Sequence, residues 1–410
     1  MTKSQEQSGE GKVICPSCDL AVLLPAYRRG YQCRCPRCKK LLRTANDISW
    51  THGAAVAFSA ILMLLCVLPL PFFSLSSSGL SASFSLLSLC LLYNDWFLLV
   101  ALFVLTVLLL PLCMLVIICA IGICGYKPSK IVAIVYTYCH VGSFVDVFIL
   151  AVAISLVKIT SLATVDFLSG FYLFVIFSWM TIWCWNKYRP VTIWKLKDKS
   201  PELSINLELK GQEQGIKICR RCLCAFKSYE EEAVCPRCGK RTYFRQKICG
   251  QKCAALLLAA FILFFPSNLY PVMVTTYLGS PEGSNIVDGA LFLWKSGSWF
   301  VASVIIVASL FIPGFKILAL SYLSLRVNKG VINNPVILSR LFHIVEFIGK
   351  WSMLDVFVVI IMSVAVKFGG LMSVAPGFAI LTFCLVVLVT LWAAASFDER
   401  LIWDKYVEKK

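Results

Sequence analysis

Eight windows of the chain are long, apolar and low in charge: Gly53 to Phe73, Trp96 to Cys124, Ile131 to Val157, Phe167 to Trp185, Ala254 to Val274, Trp299 to Leu325, Leu341 to Val366 and Ala379 to Ser396. Each has about 18 residues or more, enough to cross roughly 30 Å of hydrocarbon at about 1.5 Å per residue. The pattern predicts a polytopic α-helical membrane protein with eight transmembrane helices. Two polar, cysteine-bearing stretches punctuate it, at residues 1–50 and 191–250, and each precedes four of the windows, in 51–190 and 251–410. A secretory signal would run from a short basic segment straight into an apolar one, whereas polar sequence fills the first 50 residues here, so the N-terminus is expected to be retained.

The two units repeat. Cys15-Pro-Ser-Cys18 and Cys35-Pro-Arg-Cys38 answer to Cys219-Arg-Arg-Cys222 and Cys235-Pro-Arg-Cys238. Downstream, Ser143-Phe-Val-Asp146-Val-Phe148 matches Ser352-Met-Leu-Asp355-Val-Phe357, Lys158 matches Lys367 and Thr181 matches Thr390, all at one offset of 209. Pro111 answers to Pro313, and the pair Pro69 and Pro71 to Pro266 and Pro271, at shorter offsets. A duplicated unit of one zinc ribbon plus four transmembrane helices accounts for this, and an even number of spans gives both copies the same orientation.

Composition fixes the solvent and the orientation. With 59% hydrophobic and 15% charged residues among 410, the chain has more apolar surface than one soluble core absorbs. Its net charge of +17 comes from Lys and Arg before the first window, between Lys187 and Lys252, in the connections Lys127 to Lys130 and Arg326 to Arg340, and after Ser396. The opposite faces carry only Lys158, Lys295 and Lys367. Both termini and the middle stretch are therefore expected in the cytoplasm, and Ser76 to Tyr93 and Thr276 to Ser296 in the periplasm. Topology explains the basicity. No basic stripe interleaved with aromatics points to nucleic acid.

Of the 20 cysteines, five lie in the first polar stretch and six in the second. Two Cys-x-x-Cys knuckles, sixteen residues apart in the first stretch and twelve in the second, present four thiolates to one tetrahedral Zn²⁺. The expected ligands are Cys15, Cys18, Cys35 and Cys38 for one ion, and Cys219, Cys222, Cys235 and Cys238 for the other. Cys33 and Cys224 lie beside these sets, and whether either replaces a ligand stays open, as does a rubredoxin-like iron. Disulfides are not expected in a reducing cytoplasm. Such ribbons either dock partners or only staple segments too small for a core. Cys66, Cys113, Cys119 and Cys384, within the apolar windows, read as small packing residues.

Charge at mid-bilayer costs about 2.5–3.5 kcal/mol on insertion scales, so each instance asks for a partner. Asp146 and Asp355 each have a serine three residues earlier, Ser143 and Ser352, on the same helical face. Lys316 lies about nine residues, roughly 13 Å, from the inner end of its helix, beyond comfortable snorkelling. Ser309, two turns earlier, and Thr390 on the last helix would complete a cluster with Lys316, Ser352 and Asp355. The first unit has Met114 where the repeat aligns Lys316, so Asp146 lacks an aligned lysine partner and the second unit reads as the chemically active one. A buried ion pair that only fixes helix register is the alternative.

Taken together, these residues resemble the paraquat-inducible protein A family of Gram-negative inner membranes. Besides the Cys-Pro-x-Cys ribbons, the resemblance rests on Phe265-Pro-Ser-Asn268 with Pro271-Val-Met273, Trp351-Ser-Met-Leu-Asp355-Val-Phe357, Gly369-Gly-Leu-Met-Ser373 and Phe397-Asp-Glu-Arg-Leu-Ile-Trp403-Asp404, and it runs through the whole chain. It implies a non-enzymatic inner-membrane subunit of an intermembrane lipid-transport system. Such a subunit passes phospholipid to or from the hydrophobic tunnel of a periplasmic MCE-domain protein. By the same resemblance Ser309, Lys316, Ser352, Asp355 and Thr390 match a polar network that couples proton movement to transfer, and Asp146 matches the acidic position of the first unit. No Gly-x-x-x-x-Gly-Lys loop is present to bind ATP. Two rivals remain. A redox membrane enzyme would pass electrons from the thiol-metal sites to a quinone, but His52, His140 and His343 form no intramembrane pair at repeated positions. An inert anchor for the MCE-domain partner needs none of the polar residues.

Overall fold

The computed structural model describes residues 11–25, 31–44, 49–77, 80–91, 93–159, 164–197, 203–245, 249–277, 280–295, 297, 299–330, 332, 334–367 and 372–405. The first unit opens with two antiparallel hairpins, β1 (Gly11–Ile14) with β2 (Ala21–Leu24) and β3 (Gln32–Arg34) with β4 (Leu41–Thr44), whose turns are the two knuckles. Ser49 then caps α1 (Trp50–Val67). A hairpin of β5 (Pro71–Ser77) and β6 (Leu80–Ser85) leads through α2 (Leu86–Leu91) into α3 (Tyr93–Phe103), a π-turn at Val104–Leu109 and α4 (Leu110–Cys124). α5 (Lys130–Gly142) and α6 (Val145–Ile159) follow, then β7 (Thr164–Phe167), α7 (Ser169–Lys187) and α8 (Pro190–Lys197).

The second unit runs in the same order. Its hairpins pair β8 (Ile216–Ile218) with β9 (Ala225–Lys227) and β10 (Glu232–Val234) with β11 (Arg241–Tyr243). Next come α9 (Cys249–Leu269), β12 (Met273–Tyr277), β13 (Ser280–Ser284), α10 (Ile286–Lys295), α11 (Trp299–Ile306), a π-turn at Val307–Phe311 and α12 (Ile312–Lys329). α13 (Pro335–Trp351), α14 (Leu354–Lys367), β14 (Met372–Pro376), α15 (Phe378–Ser396) and α16 (Arg400–Asp404) complete it.

Both π-turns immediately precede a proline, Pro111 or Pro313. Proline has no N–H to donate and its ring crowds the carbonyl four residues back, and a wider turn relieves both. Gly125 and Gly330, in the left-handed region at φ 59° and 76°, close α4 and α12. The serine-rich segment after α1 forms a sheet of order β6-β5-β7, and its counterpart a sheet of order β13-β12-β14. These sheets lie at the helix ends remote from the ribbons. Their third strands, β7 and β14, were not evident from hydropathy.

Six helical stretches among the described residues are long and apolar enough to cross a membrane: Trp50–Val67, Phe97–Cys124, Lys130–Ser155, Cys249–Leu269, Val307–Lys329 and Phe378–Ser396. Two of the eight expected spans are not among these, and a third, Ile131 to Val157, is interrupted at Ser143 and Phe144 between α5 and α6. The window Phe167 to Trp185 is present as α7, 19 residues long, but its Trp, Tyr, Ser and Asn content lowers its hydropathy. The window Leu341 to Val366 is not one helix, because α13 ends at Trp351 and α14 begins at Leu354. α13 places His343, Glu346 and Lys350 in polar contacts rather than toward lipid.

The units meet where α6 packs on α14, with Phe148 edge-on to Phe357 at 5.6 Å between ring centres. The ribbons are crossed over this seam. The cysteines of the first ribbon share a buried cluster with Cys249, Leu320, Phe342 and Trp403 of the second unit, and those of the second ribbon join the cluster containing the first unit's helices. Arg37 lies over the Trp403 ring at 4.5 Å, and Asp19 pairs with Arg245 at 2.9 Å, which also holds Asp404. From the second ribbon, Arg221 donates to the Tyr138 hydroxyl at 3.4 Å, while Arg220 bonds the Phe397 carbonyl at 2.5 Å.

Candidate metal centres and buried polar sites

Each knuckle is a turn closed by the same two backbone bonds. The first cysteine's carbonyl accepts from the residue four places on, and its N–H donates to the carbonyl five places on: Cys15 with Asp19 and Leu20, Cys35 with Lys39 and Lys40, Cys219 with Leu223 and Cys224, Cys235 with Gly239 and Lys240. The residue four places on is left-handed every time, at φ 60° (Asp19), 61° (Lys39), 54° (Leu223) and 72° (Gly239). That conformation costs a non-glycine residue about 1–2 kcal/mol. It aims both sulfurs of a knuckle inward.

In each ribbon the four Sγ atoms lie within 4.8 Å of one another and all four cysteines are buried. Across the knuckles Cys15 stands 3.5 Å from Cys38, Cys18 3.5 Å from Cys35, Cys219 3.4 Å from Cys238 and Cys222 3.5 Å from Cys235. Four sulfurs about 2.3 Å from a central ion would stand about 3.8 Å apart, so both sets fit a tetrahedral metal ion. Packed thiols also share protons unequally. Donation from Cys15 and Cys18 draws Cys38 below the usual thiol range, and donation from Cys219 and Cys222 does the same to Cys235. Cys33 and Cys224 lie outside both four-sulfur sets.

Within the helices, the expected second-unit cluster is formed in part. Lys316 is fully buried on α12, and its Nζ donates to Thr390 Oγ1 on α15 at 2.9 Å. Ser309 is buried in the π-turn before Pro313, where the extra residue in the turn shifts it off the helical phase that spacing alone assigns. Ser352 is buried at the junction of α13 and α14, with no hydrogen-bond partner for its Oγ among the described residues. Asp355 is in α14, but its side chain lies outside the described residues, as do those of Lys158 and Lys367. In the first unit Ser143, Asp146 and Thr181 come together around a partly open cavity of about 100 Å³, lined also by Val145, Ile182, Trp185 and Asn186.

A polar seat beneath the first ribbon escaped sequence reasoning. Glu399 accepts from Ser17 Oγ and, at 2.5 Å, from Ser339 Oγ, and its Oε1 lies 3.0 Å from His343 Nε2, an ion-pair approach off the hydrogen-bonding axis. Burial would raise the Glu399 carboxyl, but His343, Ser17 and Ser339 outweigh it and hold the group below the usual carboxylate range. Burial would likewise raise Asp398, and Arg400, Arg220 and Arg245 hold it down. The available signal was two adjacent acids, Asp398 and Glu399, beside a span end that topology reserves for cations.

The description Paraquat-inducible protein A matches residues 51–198 and 251–407. The chain is 31% identical to an Escherichia coli (strain K12) protein named Intermembrane transport protein PqiA, over 97% of each chain. It is 26% identical to a Haemophilus influenzae protein named Probable intermembrane transport protein, over the full length of both. It is 23% identical to the Escherichia coli (strain K12) Lipophilic envelope-spanning tunnel protein A, over 96% of this chain and 91% of that one. No solved structure matches it.

Proposed function

The chain belongs to the paraquat-inducible protein A family, and from that premise we propose that it is a multi-pass inner-membrane subunit passing phospholipid to or from a periplasmic MCE-domain tunnel. Each unit contributes four spans, eight in total, with ribbons and termini in the cytoplasm. The β6-β5-β7 and β13-β12-β14 sheets then face the periplasm, where the tunnel protein docks. The ribbons each take one Zn²⁺, through Cys15, Cys18, Cys35 and Cys38 and through Cys219, Cys222, Cys235 and Cys238, and the metal supplies the folding energy that such small hairpins lack.

The observation that carries the mechanism is Lys316, a fully buried cation tied to Thr390 across two spanning helices. A lone charge there is costly, and Asp355 on α14, a helix that touches the π-turn leading into α12, is the acid this reading assigns to offset it. Protonation of Asp355 neutralises one member, releases the lysine and biases the helices between a state open to lipid and a state open to the tunnel. Ser309 and Ser352 complete the hydrogen-bonding surroundings.

The test is transfer of labelled phospholipid from vesicles holding the protein to the MCE-domain partner. Asp355→Asn and Lys316→Met are each expected to abolish transfer while metal content and partner binding stay intact. Normal transfer by both variants would show the polar network to be structural. Redox-active iron in the ribbons would move the reading to a membrane oxidoreductase.

A further inference from the structure

The aligned repeat leaves Asp146 without a cation, because Met114 stands where the second unit has Lys316. The fold supplies one from elsewhere. Lys350, in the last turn of α13, sets its Nζ 3.9 Å from the centre of the Trp185 ring on α7. That indole also stacks on His140, 4.6 Å away and 13° from parallel, and each of the two residues bonds the other's carbonyl: Trp185 Nε1 to His140 at 2.7 Å and His140 Nε2 to Trp185 at 2.9 Å. The ring is therefore held rigidly, one edge walling the cavity around Ser143, Asp146 and Thr181. Lys350 is thereby brought beside the Trp185 wall of the Asp146 cavity.

The arrangement is not a relic of duplication. At the repeat's offset of 209, Lys350 answers to Val141, Trp185 to Ala394 and His140 to Gly349, so none of the three has a like counterpart. It exists only where the two units are joined. A volume of about 100 Å³ has room for water, and one carboxylate, two hydroxyls and the Asn186 amide give it partners.

We propose that the first helical unit holds a complete polar site of its own, in which water bridges Asp146, Ser143 and Thr181 to a lysine, Lys350, lent by the second unit, and that lipid transfer requires this cross-unit pair. The proposal rests on the lipid-transport reading. Its test uses full-length protein with Lys350→Met, Asp146→Asn, both together, and Lys350→Arg, measured for phospholipid transfer and for thermal unfolding. Each neutralising change alone should lower transfer at least tenfold. The double variant should do no worse than the poorer single, because removing both charges strands neither. Lys350→Arg, which keeps a cation over the indole, should retain most of the activity. Wild-type transfer by Lys350→Met, or losses that multiply in the double variant, would overturn the proposal. If wild-type protein transfers no lipid, the transport reading fails by itself. The unfolding cycle still decides the pair: non-additive shifts uphold it and additive shifts refute it.

Discussion

Replacing Glu399 with alanine should unseat the first ribbon while leaving the second in place. The Glu399 carboxylate accepts from Ser17 on the ribbon and Ser339 on α13 and makes an ion-pair approach to His343, and the residue is only 7% exposed. Its loss strands two buried hydroxyls and leaves the imidazole without this acid. Truncating one partner of a buried charged cluster costs about 3–5 kcal/mol, and hydrogen bonds to a charged group are worth about 1.5–3 kcal/mol each. The His343 side chain is 28% exposed and recovers some solvation, which favours the lower end, about 3 kcal/mol, or about two decades in the docking equilibrium. Release of metal to a chromogenic chelator reads this directly. One equivalent should leave about 100-fold faster than in the wild type and the other at an unchanged rate. Release of both at wild-type rates would refute the reasoning. The same carboxylate gives a pH dependence. Its folded value is depressed, so its contribution is complete above the unfolded value of about 4.3 and is lost as pH falls through the lower folded value. Glu399→Gln should flatten the acid limb of first-ribbon release.

Cys235→Ser should remove one of two metal equivalents by elemental analysis and unfold the second ribbon alone, since metal binding supplies about 10–16 kcal/mol in comparable small domains; wild-type protein without metal would contradict this. Gly377→Ala should cost about 3 kcal/mol in thermal unfolding, because a Cβ there would fall 1.8 Å from the Pro271 carbonyl oxygen, a backbone atom that cannot swing aside. Gly289→Ala on α10, where nothing lies within 4 Å of the added Cβ, is the control and should be neutral or slightly stabilising.

What could be read from the chain followed from how local each cause is. The four-sulfur sets were legible because their spacing is fixed within a few residues, yet the left-handed residue closing each knuckle was not, since Asp19, Lys39 and Leu223 are not glycines. Apolar length gave the helices. It missed the breaks within Ile131 to Val157 and Leu341 to Val366, although in the second His343, Glu346 and Lys350 recur at helical spacing on one side of α13. The Lys316 to Thr390 contact was anticipated from depth and the cost of a lone charge. Three features depend on pairings far apart in sequence and left no local trace. β7 and β14 join strands from the start of their units, Lys350 reaches a tryptophan of the other unit, and each ribbon seats across the seam.

The crossed seating also sets an order of events during synthesis. Ser17 and its acceptor Glu399 are 382 residues apart, so at about 5–20 residues per second the first ribbon waits roughly 20 to 80 s for its seat. During that interval every membrane segment between them must be inserted while the ribbon, already able to gather its four thiolates, has nothing to rest on. A ribosome stalled anywhere before α16 leaves a ribbon with an unmatched apolar face, a form that a protease or chaperone can tell from finished protein. Locking the assembly is thus left to the start of α16, made after α15 and every span before it.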